Sequence, residues 1–123
     1  MDRRITIAHL SDLHLAVDDR TPRSEARLFG RLRGMNGHFE RLLADPPLRA
    51  SDLVVVTGDV TDHGDLAEWE RFWTLVAAAG LRDRMAVLPG NHDVCCLGSR
   101  RHRPRIEDRA RARSGLALGG HEW

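Results

Sequence analysis

Residues 53–59 read Leu53-Val54-Val55-Val56-Thr57-Gly58-Asp59, a nearly continuous apolar run that ends in a glycine and a carboxylate. A short apolar run of this kind, rich in β-branched residues, is typical of a strand that is buried on both faces. Similar runs occupy residues 4–10 and 85–88, and the last of these is closed by Pro89-Gly90. The sequence therefore predicts three strands.

The segments between these runs have helical spacing. Residues 65–79 predict one amphipathic helix, and Gly80 fits its C-terminal cap. Residues 24–44 carry apolar side chains near helical spacing, but three glycines favour a broken helix or two short ones, ended by Asp45-Pro46-Pro47. The order β-α-β-α-β predicts an α/β fold with parallel strands and right-handed crossovers.

Composition favours one ordinary globular domain. The chain has 123 residues, of which 41% are hydrophobic and 30% charged, and a net charge of +1. It contains no apolar stretch of membrane-spanning length and no signal-peptide pattern near its N-terminus. The adjacent Cys95 and Cys96 offer no disulfide framework, which suits a reducing compartment. We therefore expect a cytoplasmic protein with no membrane partner.

The character of the sequence changes after Val94. Residues 100–105 form an arginine-rich run, and residues 114–120 are rich in glycine. Because this run has no interleaved aromatic residues and no nucleic-acid motif, a solvated tail is favoured over a nucleic-acid interface. The predicted organisation is a domain over residues 1–98 and a tail over residues 99–123.

Each predicted strand is followed by residues that can bind metal ions. These segments are Ser11-Asp12-Leu13-His14, Gly58-Asp59-Val60-Thr61-Asp62 and Gly90-Asn91-His92-Asp93. The carboxyl ends of parallel strands meet at one edge of a sheet, so the three segments are expected to converge there. We expect Asp12 and His14 to alternate on an extended segment, so that both side chains can face the same side. Taken singly these residues also fit turns, but the ordered set predicts a metal-dependent hydrolase.

These three segments closely resemble the motifs of the calcineurin-like metallophosphoesterase superfamily. The resemblance covers residues 4–94. The sequence of residues 8–15 and 57–64 most resembles the bacterial branch that contains class III cyclic-nucleotide phosphodiesterases. The resemblance implies that the β-α-β-α-β unit is the N-terminal half of a sandwich of two sheets flanked by helices.

The resemblance also implies a set of metal ligands. Asp12 and His14 would bind a first ion, Asp59 would bridge two ions, and Asn91 would bind the second. Mn, Fe and Zn all suit these side chains.

The implied chemistry is hydrolysis of a phosphomonoester or phosphodiester by a metal-bound hydroxide, with nucleotide-like substrates favoured. His92 would stabilise or protonate the leaving oxygen, and Asp93 would orient His92. No role is assigned to Asp62 or His63.

The sequence departs from the family pattern after Asp93. The family continues with a lone histidine and a Gly-His-x-His segment, whereas the only later histidines here are His102 and His121. We therefore expect the second sheet to be largely missing and at most one ion to be bound tightly. A dimer mate or a partner chain would then cover the exposed sheet. The alternative interpretation is a catalytically incompetent, truncated fragment of such an enzyme.

Overall fold

Three parallel strands form the sheet in the computed structural model, which describes residues 3–23 and 34–95. The strands are β1 (Ile7–Leu10), β2 (Leu53–Thr57) and β3 (Met85–Leu88), in the order β1-β2-β3. Their register places Leu10 beside Val56, which in turn lies beside Val87. The predicted α/β class is confirmed, and β2 and β3 have the predicted bounds.

The first strand is shorter than the predicted run of residues 4–10. Ahead of Ile7, the backbone N–H of Thr6 donates to the Asp52 carboxylate at 2.9 Å, and the backbone N–H of Asp52 donates to the Thr6 carbonyl. A side chain thus takes the place of the next backbone bond of the ladder, which explains why the strand begins at Ile7.

Four helices and one 3-10 turn are described. The helices are α1 (Met35–Leu43), α2 (Pro46–Ala50), α3 (Leu66–Ala78) and α4 (Asn91–Cys95), and the 3-10 turn is Arg82–Arg84. The two prolines that were expected to end a helix also begin α2, because proline fits the first helical turn. The predictions for residues 24–33 and for the tail over residues 99–123 lie outside the described residues.

Helix α3 matches the helix predicted over residues 65–79. Asp65 is its N-cap, and the side chain of Glu68 reaches back to the Asp65 backbone N–H at 3.4 Å. The helix ends where Gly80 adopts a left-handed φ of 71°, a conformation that favours glycine.

The core lies on one face of the sheet, beneath the helices. Val54 and Val56 are fully buried there, and Phe72 of α3 stacks on Phe39 of α1 with ring centroids 5.6 Å apart. On the opposite face Ile7 is 57% exposed. No helix within residues 3–23 and 34–95 has the length and apolar character that a membrane span requires.

Candidate metal centre

The pairing of β1 with β2 continues past the ends of both strands. The backbone N–H of Asp12 donates to the Gly58 carbonyl at 3.1 Å, and that of His14 donates to the Asp59 carbonyl at 2.9 Å. A third such bond joins Leu15 to Val60. The first two ligand segments therefore run side by side at the carboxyl edge of the sheet.

Three of the predicted ligands adopt left-handed backbone conformations. The φ angles are 56° at Asp12, 43° at His14 and 49° at Asp59, and no other non-glycine residue in the described ranges has a positive φ. The extended conformation expected for residues 12–14 is therefore wrong: β1 has ended at Leu10, and the bonds to the second segment hold the turn. Residues in this sparsely populated region cluster at functional sites.

These turns bring the three side chains together. The ring Nε2 of His14 lies 3.9 Å from Asp12 Oδ1 and 3.8 Å from Asp59 Oδ2. The ring is buried, whereas the Asp12 side chain is 67% exposed, so the group opens to solvent on one side. Two carboxylates and an imidazole, with ligand atoms within 4.8 Å of one another, fit a divalent ion of the Mn, Fe or Zn type.

The third segment contacts the same carboxylate. The backbone N–H of His92 donates to Asp59 Oδ1 at 3.0 Å. Gly90 approaches so closely that a Cβ atom there would collide with the backbone nitrogen and the carboxylate of Asp59. Asn91 begins α4 with an exposed side chain, and its role as a ligand stays a prediction.

Asp93 ties the second and third segments together. Its buried carboxylate accepts hydrogen bonds from the backbone N–H groups of Gly90, Val60 and Thr61 and from the Thr61 hydroxyl, at 2.6–3.1 Å. Burial raises the pKa of this carboxyl, and the bonds from Thr61, Gly90 and Val60 partly oppose the rise. The sequence predicts that Asp93 orients His92, and these bonds would do so by fixing the loop that carries it.

Asp62, to which the sequence assigned no role, lies behind both histidines. Its Oδ1 atom is 3.6 Å from His14 Nδ1 and 3.8 Å from His92 Nδ1, and its side chain is fully buried. The Nδ1 atom of His92 also lies 2.9 Å from the Asp62 backbone carbonyl. Because a carbonyl only accepts, Nδ1 must carry the proton, and Nε2 is the basic nitrogen of the neutral ring.

His14, Asp62 and His92 form a second group with the spacing of metal ligands. All three side chains are buried, and the two imidazole rings meet edge to face with centroids 4.6 Å apart. A catalytic ion needs an open coordination position, which the exposed group around Asp12 offers better. Asp62 fits the role of a carboxylate that orients the ring of the ligand His14, and the neighbouring His92 ring, from behind. The sequence offered one signal for a role of Asp62, namely that it follows Asp59 by three residues in the same loop.

A family model described as calcineurin-like phosphoesterase matches residues 5–120. The chain belongs to the calcineurin-like phosphoesterase family. No curated protein matches the sequence. The predicted metallophosphoesterase resemblance is confirmed, and the match extends beyond residue 94, where the resemblance of the motifs stops. Family membership and the ligand groups together support a metal-dependent phosphoesterase that acts on phosphate esters.

Proposed function

We propose that this chain hydrolyses a phosphate ester with the help of a divalent ion held by Asp12, His14 and Asp59. The observation that carries the proposal is the convergence of these three side chains at the carboxyl edge of the sheet in a calcineurin-like phosphoesterase. The ion, when bound, supplies a Lewis acid and activates water as a nucleophile.

The protein side chains would position the reaction. Asp59 has two tasks, because one carboxylate oxygen faces the His14 ring while the other accepts the backbone N–H of His92. The Nδ1 proton of His92 is donated to the Asp62 carbonyl, so Nε2 is the ring atom that can give or take a proton. We propose that Nε2 stabilises or protonates the leaving oxygen. Asp93 keeps this loop against the Asp59 loop.

The substrate class is the finer part of the proposal. We propose a nucleotide-like phosphodiester, because residues 8–15 and 57–64 resemble the branch that contains class III cyclic-nucleotide phosphodiesterases. Asn91 would contribute to a second, weaker ion site, while one ion per chain binds tightly.

The face of the sheet opposite the helices carries exposed apolar side chains, which favours a covering partner. Ile7 is 57% exposed and Leu88 37% exposed on that face. We propose that a second copy or a partner chain covers them. Sedimentation of the purified chain tests for the second copy, and a monomer at all concentrations would exclude it.

The decisive experiment is turnover of bis-p-nitrophenyl phosphate, with p-nitrophenyl phosphate as the monoester comparison, in the presence of Mn²⁺. Asp59→Asn is expected to lower turnover about 100-fold or more, the scale of losing one electrostatic stabiliser of the transition state. Asp83→Asn is the matched control, since Asp83 is an exposed aspartate ahead of β3 at the opposite edge. Turnover that survives Asp59→Asn would contradict the mechanism. Metal binding without turnover in the unaltered chain would support the catalytically incompetent alternative.

A further inference from the structure

The buried carboxylate of Glu68 hydrogen-bonds to His63 beside the candidate metal centre. Glu68, at the start of α3, is 1% exposed. One of its carboxylate oxygens accepts the backbone N–H of His63 at 2.9 Å, and the other lies 2.6 Å from the ring Nδ1. An ionised carboxylate only accepts hydrogen bonds, so Nδ1 is the donor. Glu68 therefore fixes both the backbone and the ring of His63.

The other side of the same ring faces Asp62. The Nε2 atom of His63 lies 3.6 Å from Asp62 Oδ2. The second oxygen of Asp62 faces the Nδ1 atoms of His14 and His92, at 3.6 and 3.8 Å. The fully buried carboxylate of Asp62 thus has imidazole rings on two sides. The His63 ring is the one that Glu68 holds in place from behind.

We infer that Glu68 and His63 are positioning residues of the metal centre. Glu68 fixes the His63 ring, His63 holds the Asp62 carboxylate, and Asp62 orients the His14 and His92 rings. A buried carboxylate needs a compensating partner, and His63 provides one to Asp62 when both of its ring nitrogens carry protons. The effect on metal binding rests on the function proposed above, while the effect on the rings does not. Outer partners of ligating histidines change metal affinity by about 10–100-fold.

Glu68 also caps α3, and this structural role must be separated from the positioning role. Glutamine serves as well as glutamate at the third position of a helix, because its amide oxygen still accepts the N-cap N–H. Glu68→Gln therefore keeps the cap and removes the carboxylate that holds His63. Glu70→Gln makes the same chemical change at an exposed position of the same helix and is the matched control.

The experiment follows the histidine ring nitrogens by NMR in metal-free protein and measures Mn²⁺ affinity by calorimetry. Glu68→Gln is expected to shift the ring signals of His63, His14 and His92, and to weaken Mn²⁺ binding about 10-fold or more. Glu68→Gln should also lower the thermal midpoint relative to Glu70→Gln, because its amide turns an NH₂ group toward the His63 Nδ1 donor. The ring signals and the Mn²⁺ affinity are therefore measured well below that midpoint. His63→Gln should weaken Mn²⁺ binding to the same extent. The double variant should lose no more Mn²⁺ affinity than His63→Gln alone, because Glu68 acts on the metal centre through His63.

The inference is overturned if Glu68→Gln moves the His63 signals while the His14 and His92 signals and Mn²⁺ affinity stay at their original values. Should Glu68→Gln fail to fold, His63→Gln decides alone, since the His63 side chain is 30% exposed. The ring signals are recorded without metal, so they test the inference even if the chain shows no turnover. Additive losses in the double variant would equally contradict a single path.

Discussion

His14 and Asp59 are joined twice, once through the backbone and once through their side chains. The His14 N–H donates to the Asp59 carbonyl at 2.9 Å, and the His14 Nε2 atom lies 3.8 Å from Asp59 Oδ2. Both residues have a left-handed φ, at a cost of order 1–3 kcal/mol each. The backbone bond fixes the separation of ring and carboxylate, so the ligand group follows from strand pairing that continues past the strand ends.

Replacing Gly90 with alanine is expected to disturb the centre directly. The added Cβ would collide with the backbone nitrogen and the carboxylate of Asp59, and would lie 2.9 Å from Gly58 Cα. Backbone atoms cannot rotate away, so we expect a loss of about 1–3 kcal/mol in the free energy of unfolding, the usual cost of overpacking. Because Asp59 must shift, Mn²⁺ affinity measured by calorimetry should fall as well.

Gly80→Ala separates the loss of stability from the loss of Mn²⁺ affinity. A Cβ at Gly80 meets no atom within 4 Å, but the φ of 71° makes alanine unfavourable by about 1–2 kcal/mol. This variant should lose stability while keeping its Mn²⁺ affinity. Equal affinities for Gly90→Ala and the unaltered chain would show that the contact between Gly90 and Asp59 does not set the ligand geometry.

Metal binding should stabilise the folded chain. An ion that binds only the folded state adds about 2.7 kcal/mol when its free concentration is 100 times Kd. We expect Mn²⁺ to raise the thermal midpoint, a chelator to reverse the rise, and calorimetry to give one tightly bound ion per chain. Asp12→Asn should reduce the rise because it removes one charged ligand. A rise that Asp12→Asn leaves intact would place the ion elsewhere.

Much of this architecture could be predicted from the sequence because its signals are local. The valine-rich run before Gly58 marks β2 at the observed bounds, and an apolar stripe over residues 65–79 marks α3. The meeting of Asp12, His14 and Asp59 follows from parallel pairing, since strand ends of the same polarity share an edge.

The residues that hold the ligands in place could not be predicted, because their roles depend on contacts between distant segments that sequence periodicity does not encode. Asp62 and Glu68 are buried carboxylates, and burial of a charge is the opposite of what the residue type predicts. The left-handed turns at Asp12 and His14 arise from bonds to a segment more than 40 residues away in sequence, and no local pattern announces them.

Asp93→Asn is expected to destabilise the fold strongly. The carboxylate accepts four hydrogen bonds, from Gly90, Val60 and twice from Thr61. An amide retains one acceptor oxygen and turns an NH₂ group toward the remaining donors. Two buried donors left without acceptors cost about 2–6 kcal/mol in the free energy of unfolding, measurable by urea unfolding at neutral pH. The exposed Asp83→Asn should cost far less, and equal losses in both variants would contradict the bridging role of Asp93.

The link between the start of β1 and the start of β2 should be sensitive to acid. The Thr6 N–H, 2.9 Å from Asp52 Oδ2, and the nearby guanidinium of Arg3 lower the pKa of the Asp52 carboxyl below its usual 3.8. A lowered pKa means that the folded state favours the ionised form. The resulting stability is therefore fully present above pH 3.8 and is lost as the pH falls through the folded-state pKa. Asp52→Asn lacks this contribution. The difference in urea midpoint between the unaltered chain and Asp52→Asn should thus be largest at neutral pH and should shrink below pH 3.8. A difference that stays constant with pH would show that the pairing of Asp52 with Thr6 and Arg3 does not depend on charge.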